Sequence, residues 1–309
     1  MVIVSDEILS PAQQQVIDLL GTAGGVPQFP PRLSGELWAE LESAILPMAD
    51  YIGDDTLWIS KRALAGLHGC EAHYLATIDN FEWSIPVVLG MVAHKAIELS
   101  VHWTGEPLPR ELVDDAVARL IDGDRQAGKF LGGLGDGDIA QLRSDAVSRV
   151  AAFQECFPPL KPQWRPVTES PARVDLLGGR VVLSGKVDMT LGRPGKKVII
   201  DLKSGRVSPQ HREDLRFYAL VETLKIGLPP RKIATYYLDQ ARPHAEDVTE
   251  DLLEAALRRT IDGVIKAIEL RAGRPATTQP GPACRWCPIQ TDCPAGTAYL
   301  AESDDGSGW

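Results

Sequence analysis

The stretch that decides the fold reads Val198-Ile-Ile-Asp-Leu-Lys203. Its three leading apolar, β-branched residues are typical of a strand buried in the core of a protein. Successive side chains of a strand point to opposite faces, so we expect Asp201 and Lys203 to share one face while Leu202 points into the core. Burial of an acid at this position is costly unless a cation compensates its charge. The pattern therefore predicts a core strand with a chemically active end.

A second acidic residue lies one predicted hairpin upstream, in Gly185-Lys-Val-Asp188. Two aspartates on adjacent strands can converge on one ion, and Mg²⁺ or Mn²⁺ prefers carboxylate, carbonyl and water oxygens. Such an ion acidifies a bound water and neutralises a phosphodiester under attack, while a nearby lysine orients the water. An Asp-x-Lys on a surface strand is more often simply solvated. The apolar run before Asp201 favours the functional interpretation, with Asp188, Asp201 and Lys203 as the reactive set.

Helical patterns lie on both sides of a block of strand patterns. The predicted helices cover residues 10–20, 36–51, 61–76, 85–103, most of 107–156, 210–226 and 250–271. The predicted strands cover residues 167–169, 172–177, 180–191, 197–203 and 233–238. Helices before and after a strand block predict an α/β or α+β fold with a mixed central sheet.

The composition is that of an ordinary globular protein of 309 residues, with 44% hydrophobic and 24% charged residues. The net charge of −10 argues against a protein that coats nucleic acid non-specifically, because such binding depends on lysine and arginine. It does not exclude a nuclease, since divalent ions supply positive charge locally. We find no run of about 18 apolar residues and no basic leader, so we expect no membrane partner and a cytoplasmic location.

Three cysteines cluster near the C-terminus, in Cys284-Arg-Trp-Cys-Pro-Ile-Gln-Thr-Asp-Cys293, and Cys70 lies far upstream. In a chain without a secretory signal, a metal role is more expected than disulfides. Four thiolates suit an iron–sulfur cluster or zinc. Zinc sites usually consist of two close cysteine pairs, so we prefer [4Fe–4S] and keep zinc as the alternative. Cys156 has no partner spacing and is interpreted as an inert buried thiol.

In this order, the motifs resemble the PD-(D/E)XK nuclease superfamily. They are most similar to its RecB-type iron–sulfur branch, which includes the CRISPR-adaptation nucleases and the AddB helicase–nuclease subunit. The matching stretches are Gly90-Met-Val-Ala-His94, Gly185-Lys-Val-Asp188 and Asp201-Leu-Lys203 with the following Ser-Gly. The last family motif, Gln-x-x-x-Tyr, corresponds to Asp214-Leu-Arg-Phe-Tyr218, in which aspartate replaces glutamine.

The resemblance implies a restriction-endonuclease-like core and a set of site residues. It implies that Mg²⁺ or Mn²⁺ is held by His94, Asp188, Asp201 and the carbonyl of Leu202. It implies that the catalytic residues are Asp188, Asp201, Lys203 and Tyr218, and that the cluster ligands are Cys70, Cys284, Cys287 and Cys293. The nuclease domain would cover residues 57–295, after a helical N-terminal cap of unknown role (1–56) and before a flexible tail (296–309).

The expected function is a metal-dependent DNA nuclease, an exonuclease directed at single strands or ends, in repair, recombination or defence. One alternative is an iron–sulfur DNA-binding protein with weak or no cleavage, which the acidic charge and Asp214 favour. Another is a subunit of a helicase–nuclease or CRISPR-adaptation complex, in which a partner must supply the helicase because the chain has no Gly-x-x-x-x-Gly-Lys-Ser/Thr loop. Asp188, Asp201 and Lys203 favour the nuclease, because folding does not require them.

Overall fold

A computed structural model describes residues 9–22, 25–53, 55–78 and 82–305. In this part of the chain, helices surround one mixed sheet. The helices are α1 (Pro11–Leu20), α2 (Leu33–Ile45), α3 (Lys61–His68), α4 (Glu71–Thr77), α5 (Ile85–His102), α6 (Pro109–Gly123), α7 (Arg125–Gly132), α8 (Asp136–Cys156), α9 (Pro209–Ile226), α10 (Glu250–Arg271) and α11 (Pro294–Asp305). The strands are β1 (Leu57–Ile59), β2 (Val167–Leu176), β3 (Val181–Leu191), β4 (Val198–Lys203), β5 (Lys232–Tyr237) and β6 (Arg242–Asp247).

Five of the six strands follow the order β1-β3-β4-β5-β6, and the sixth, β2, pairs with β3. The β1–β3 and β4–β5 pairs are parallel, and the β2–β3, β3–β4 and β5–β6 pairs are antiparallel. Helix α9 connects the parallel strands β4 and β5, as a parallel pair requires a crossover. The predicted α/β fold with a mixed sheet is confirmed.

Two apolar layers cover the two faces of the sheet. Ile199 belongs to a cluster with residues of α2, α3, α9 and α10, whereas Ile200 and Leu202 belong to a cluster with α1, α5, α6 and α8. Alternation along β4 therefore turns Asp201 and Lys203 toward the α3–α9–α10 layer. Because both faces are covered, a charged residue on this strand has little access to water.

Helix α5 is the one helix of the described residues that is long and apolar enough, by length and composition alone, to cross a membrane. The sequence analysis expected no such segment. In the structure, α5 packs against α6 and α8, and Val88, Val92 and Ile97 are fully buried in that layer. The core helix of a globular protein passes the same test of length and composition.

Some elements differ from the sequence-based expectation. The helix predicted over 61–76 is broken at Gly69 and Cys70, so that Cys70 is the N-cap of α4. Strand β6 was not predicted, because its sequence Arg-Pro-His-Ala-Glu-Asp lacks a run of apolar residues and it lies at the sheet edge. Residues 294–305 form α11, where a flexible tail was expected from residue 296; residues 306–309 lie outside the described residues.

A buried carboxylate joins the start of α4 to the segment that follows α10. Glu71 accepts hydrogen bonds from Nη1 and Nη2 of Arg274 at 2.9 and 2.8 Å, and from the backbone N–H of Thr277 at 2.8 Å. The Arg274 hydrogen bonds lower the pKa of Glu71 to about 2. Ala72 N also donates to Thr277 O at 3.1 Å. The residue after Cys70 is thus fixed to the segment that leads to the C-terminal cysteines.

We expect Arg274→Met to lower the free energy of unfolding by about 2 kcal/mol, because Glu71 would stay buried with only the Thr277 contacts. The matched control is Arg258→Met, which removes an exposed intrahelical pair with Glu254 and should cost less than about 0.5 kcal/mol. Urea denaturation of both variants measures the difference. Equal stability of the two variants would contradict this role of Glu71.

Candidate active site

Asp201 is fully buried and lies between two lysines from different elements. Lys61 Nζ donates to Oδ1 at 2.7 Å, and Lys203 Nζ lies 2.7 Å from Oδ2. The second contact is too bent to be a hydrogen bond, so Oδ2 has an ionic contact but no hydrogen-bond partner. An isolated buried carboxylate would be very costly, and these two ammonium groups compensate it.

Asp188 approaches Asp201 where the ladder between β3 and β4 ends. The last paired residues are Met189 and Ile200, and the two aspartates follow directly. Asp188 Oδ2 accepts a hydrogen bond from Leu202 N at 2.7 Å, which bridges the separating strands. The two carboxylates are therefore presented side by side at one end of the sheet.

His94 reaches the same place from α5, on the other face of the sheet. Its Nδ1 lies 3.6 Å from Asp188 Oδ1. Burial works to lower the pKa of His94, but attraction to Asp188 outweighs it and the pKa is raised. Burial works in the opposite direction on Asp188, yet the His94 and Lys61 charges hold the pKa of that carboxyl below its usual range. The contact thus favours a protonated His94 beside an ionised Asp188.

Helix α9 supplies Tyr218 and Asp214. The Tyr218 hydroxyl donates to Lys186 O at 2.7 Å, and burial raises the pKa of Tyr218 to about 12. Asp214 accepts from Gln210 Nε2 at 2.9 Å, and its Oδ2 lies 3.8 Å from Lys203 Nζ. The structure thus brings all the predicted metal and catalytic residues together. Their chemical roles stay predictions.

Lys61 is a residue of this site that the sequence analysis missed. It is the first residue of α3, directly after the N-cap Ser60, whose hydroxyl accepts from Ala63 N. The cap fixes the start of the helix, and the lysine extends to Asp201. A lysine at the junction of a short core strand and a capped helix was the available signal. Nothing in the sequence says that this junction lies beside β4.

The donor set fits a divalent ion of the Mg²⁺ or Mn²⁺ type. Carboxylate oxygens of Asp188 and Asp201 lie at the same end of the sheet, and one buried Asp201 oxygen lacks a hydrogen-bond donor. Over the described ranges, no three His, Cys, Asp or Glu side chains are close enough together to hold an ion as they stand. Lysine ammonium groups lie 2.7 Å from each oxygen of the Asp201 carboxylate.

The four predicted cluster cysteines lie apart from this site, around one cavity of about 580 Å³. Cys70 lines it from the α3–α4 junction and Cys284, Cys287 and Cys293 line it from the C-terminal loops. A Cβ built on Gly296 would be 3.5 Å from the sulfurs of both Cys284 and Cys293. None of these cysteines forms a disulfide. The four thiols thus share a cavity, although their sulfurs do not converge on one point in the metal-free chain.

The family to which the chain belongs follows from its match to a family model. A model described as the PD-(D/E)XK nuclease superfamily matches residues 59–294. The chain belongs to the PD-(D/E)XK nuclease superfamily. This family implies the use of a divalent metal ion, in agreement with the oxygen donors of Asp188 and Asp201.

Comparisons with individual proteins add no closer relationship. No curated protein matches the chain. The solved structure of SSO0001 is 16% identical and covers 66% of this chain and 95% of its own, with a TM-score of 0.30. A Eubacterium rectale protein whose name includes the word exonuclease is 14% identical and covers 74% of this chain and 90% of its own, with a TM-score of 0.35. The family assignment rests on the family match alone.

The packing of Tyr218 explains the glycine of the Gly-x-x-Asp motif. A Cβ on Gly185 would be 2.7 Å from Cε1 of the Tyr218 ring. Such a contact forces either the buried ring or strand β3 to move. Because Asp188 is three residues further along β3, this displacement would reach the reactive end of the strand.

We expect Gly185→Ala to lower the free energy of unfolding by about 1–3 kcal/mol, as overpacking of a core typically does. Gly137→Ala is the control, because Gly137 lies in α8 and a Cβ there meets nothing within 4 Å. The control should be neutral or slightly stabilising, since alanine favours helix. Thermal melts of both variants measure the effect. A Gly185→Ala protein as stable as the control would contradict the packing argument.

Proposed function

We propose that this protein is a divalent-metal-dependent deoxyribonuclease. The observation that carries the proposal is the pair of aspartates at the diverging ends of β3 and β4, with Lys203 beside Asp201. Folding alone gives no reason to bury this carboxylate and two lysines in one place, because replacement of such a group by apolar residues is often neutral or stabilising. Membership of a nuclease superfamily supports the same conclusion.

Each residue has a distinct task under this proposal. Asp188, Asp201, His94 and the Leu202 carbonyl would hold Mg²⁺ or Mn²⁺, which supplies an acidified water and neutralises charge on the scissile phosphate when it is bound. Lys203 Nζ lies 2.7 Å from Asp201 Oδ2, where it can orient the attacking water and stabilise the developing negative charge.

Other groups keep these residues in position. The Leu202 N–H fixes the Asp188 carboxylate by donating a hydrogen bond of 2.7 Å to its Oδ2. Tyr218 stays protonated, because its pKa is raised to about 12, and its hydroxyl holds β3 through the Lys186 carbonyl. We therefore assign Tyr218 a positioning role in catalysis.

For substrate and pathway, the proposal is a cytoplasmic exonuclease that acts on single-stranded DNA or free ends in repair, recombination or defence. The order of the motifs from Gly90 to Tyr218 and the four cysteines support the RecB-type iron–sulfur branch. A helicase or CRISPR-adaptation partner is consistent with this branch. The domain boundaries proposed are a nuclease domain over 57–295 with the N-terminal helices as a cap.

A DNA-binding protein with weak cleavage is the second candidate, and Asp214 is the observation that favours it. Its carboxylate stands where the related motif has a neutral glutamine, and it lies 3.8 Å from Lys203 Nζ. An additional negative charge at this position attracts the lysine away from Asp201 and from an anionic substrate. Cleavage and binding must therefore be measured separately.

We further propose that Cys70, Cys284, Cys287 and Cys293 hold a [4Fe–4S] cluster in their shared cavity. A single zinc ion would draw all four sulfurs to about 2.3 Å from one point. A cavity of about 580 Å³ suits the larger cluster better, and a zinc ion is the alternative occupant. The cluster would tie the start of α4 to the C-terminal loops, next to the Glu71–Arg274 pair.

Asp201→Ala should reduce cleavage at least about a hundredfold and leave DNA binding in place, because the variant loses a metal ligand but none of the basic surface. The test uses protein purified without oxygen and end-labelled single- and double-stranded DNA, with Mn²⁺, Mg²⁺ or EDTA. Fluorescence anisotropy reports binding. Asp175→Ala is the control, because Asp175 is half-exposed on strand β2, which pairs with β3 and not with β4. Undiminished cleavage by Asp201→Ala would refute the site. If the wild-type protein itself binds DNA but does not cleave it, the DNA-binding protein would be favoured.

Cys287→Ala should lose the brown colour of the purified protein and most of its soluble yield, because one cluster ligand is missing and the chain ends are no longer tied. Cys156→Ala should keep both, since Cys156 does not line the cavity. Visible absorption and iron analysis measure the outcome. A Cys287→Ala protein with wild-type colour and melting temperature would rule out the cluster, and stoichiometric zinc in colourless wild-type protein would select the alternative.

A further inference from the structure

Lys61 contacts the buried carboxylate of Asp201 from a different element of the fold. Its ammonium donates to Asp201 Oδ1 at 2.7 Å and lies 4.8 Å from the centre of the Tyr218 ring. A lysine ammonium group is charged at neutral pH, so Lys61 places a positive charge in the site.

Each carboxylate oxygen of Asp201 has a lysine ammonium group beside it. Lys61 Nζ is 2.7 Å from Oδ1 and Lys203 Nζ is 2.7 Å from Oδ2. A divalent cation that binds either oxygen meets a unit positive charge at contact distance, and like charges this close repel strongly where water is scarce. Binding of an ion to Asp201 must therefore compete with an ammonium group already present.

Lys61 is better placed than Lys203 to be that competitor. It makes the only hydrogen bond to the Asp201 carboxylate among the described residues, whereas Lys203 makes an ionic contact without a hydrogen bond. In this same position its ammonium group also lies over the Tyr218 ring, 4.8 Å from the ring centre, so one favourable contact would remain if the contact with Asp201 were lost. Its side chain is one-quarter exposed, which leaves room for a rotamer change at the tip.

Resting on the proposed nuclease function, we propose that Lys61 is an internal substitute for the divalent cation. It holds the Asp201 carboxylate in the metal-free protein and competes with Mg²⁺ or Mn²⁺ for it. The metal-free fold then keeps its buried carboxylate neutralised, and metal affinity is lower than the carboxylates alone would give. Lys61 is a positioning residue that acts through Asp201.

A merely structural ion pair makes different predictions from a cation substitute. Loss of a structural pair would destabilise the protein equally with and without metal, and would leave metal affinity unchanged. Loss of a competitor would strengthen metal binding, and the bound ion would replace the missing charge. Metal affinity and metal-dependent stability therefore separate the two roles without any measurement of DNA cleavage.

The experiment is a calorimetric titration of Mn²⁺ into full-length protein purified without oxygen, as wild type, Lys61→Met and Lys61→Arg. We expect Lys61→Met to bind Mn²⁺ about tenfold more tightly or better, because a unit charge at contact has been removed. Lys61→Arg keeps the charge and should stay close to wild type. The control is Lys266→Met, because Lys266 pairs with Asp262 at 2.8 Å and has a similar exposure but lies in α10 away from Asp201.

Thermal melts give the second readout. Lys61→Met should melt below wild type in EDTA, and saturating Mn²⁺ should close most of that gap, whereas Lys266→Met should show no metal-dependent difference. If Lys61→Met is insoluble without metal, Lys61→Gln provides the same test with a polar side chain of similar reach. Recovery of a folded Lys61→Met protein only when Mn²⁺ is added would also support the proposal.

The outcomes distinguish this inference from the proposed function. Unchanged or weaker Mn²⁺ affinity in Lys61→Met and Lys61→Gln, with normal binding by the wild type, would overturn the substitute role and leave the nuclease site standing. A folded wild type and folded variants that all fail to bind Mn²⁺ would overturn the metal site, and the substitute role with it.

Discussion

The burial of Asp201 is the constraint on which the rest of the structure depends. Strand β4 is central and covered on both faces, so its apolar residues stabilise the fold while Asp201 has no access to water. A carboxylate in this position must be matched by positive charge. The chain supplies Lys203 from the same strand and Lys61 from the start of α3.

The site draws its parts from both layers of the fold because it lies where two strands separate. Helix α5 brings His94 from one face of the sheet, and helices α3 and α9 bring Lys61 and Tyr218 from the other. Asp188 and the Leu202 amide join the diverging ends of β3 and β4. A site built in this way depends on the position of β3, which is packed closely against the Tyr218 ring at Gly185.

The sequence predicted what depends on local pattern. The apolar run before Asp201 identified the central strand, and strand alternation placed Lys203 on the face of Asp201. Strand β6 was not predicted, because it is held by pairing at the sheet edge and has no apolar pattern. Lys61 was not predicted as a site residue, because its partner Asp201 lies 140 residues away in the chain.

The most direct test of the account is the anomalous diffraction of a crystal soaked in Mn²⁺. The account predicts one strong peak in contact with carboxylate oxygens of both Asp188 and Asp201, with Lys61 Nζ no longer at its metal-free distance of 2.7 Å from Oδ1. A peak elsewhere, or no peak while both lysines keep their contacts with Asp201, would contradict the claim that this buried carboxylate is a metal ligand.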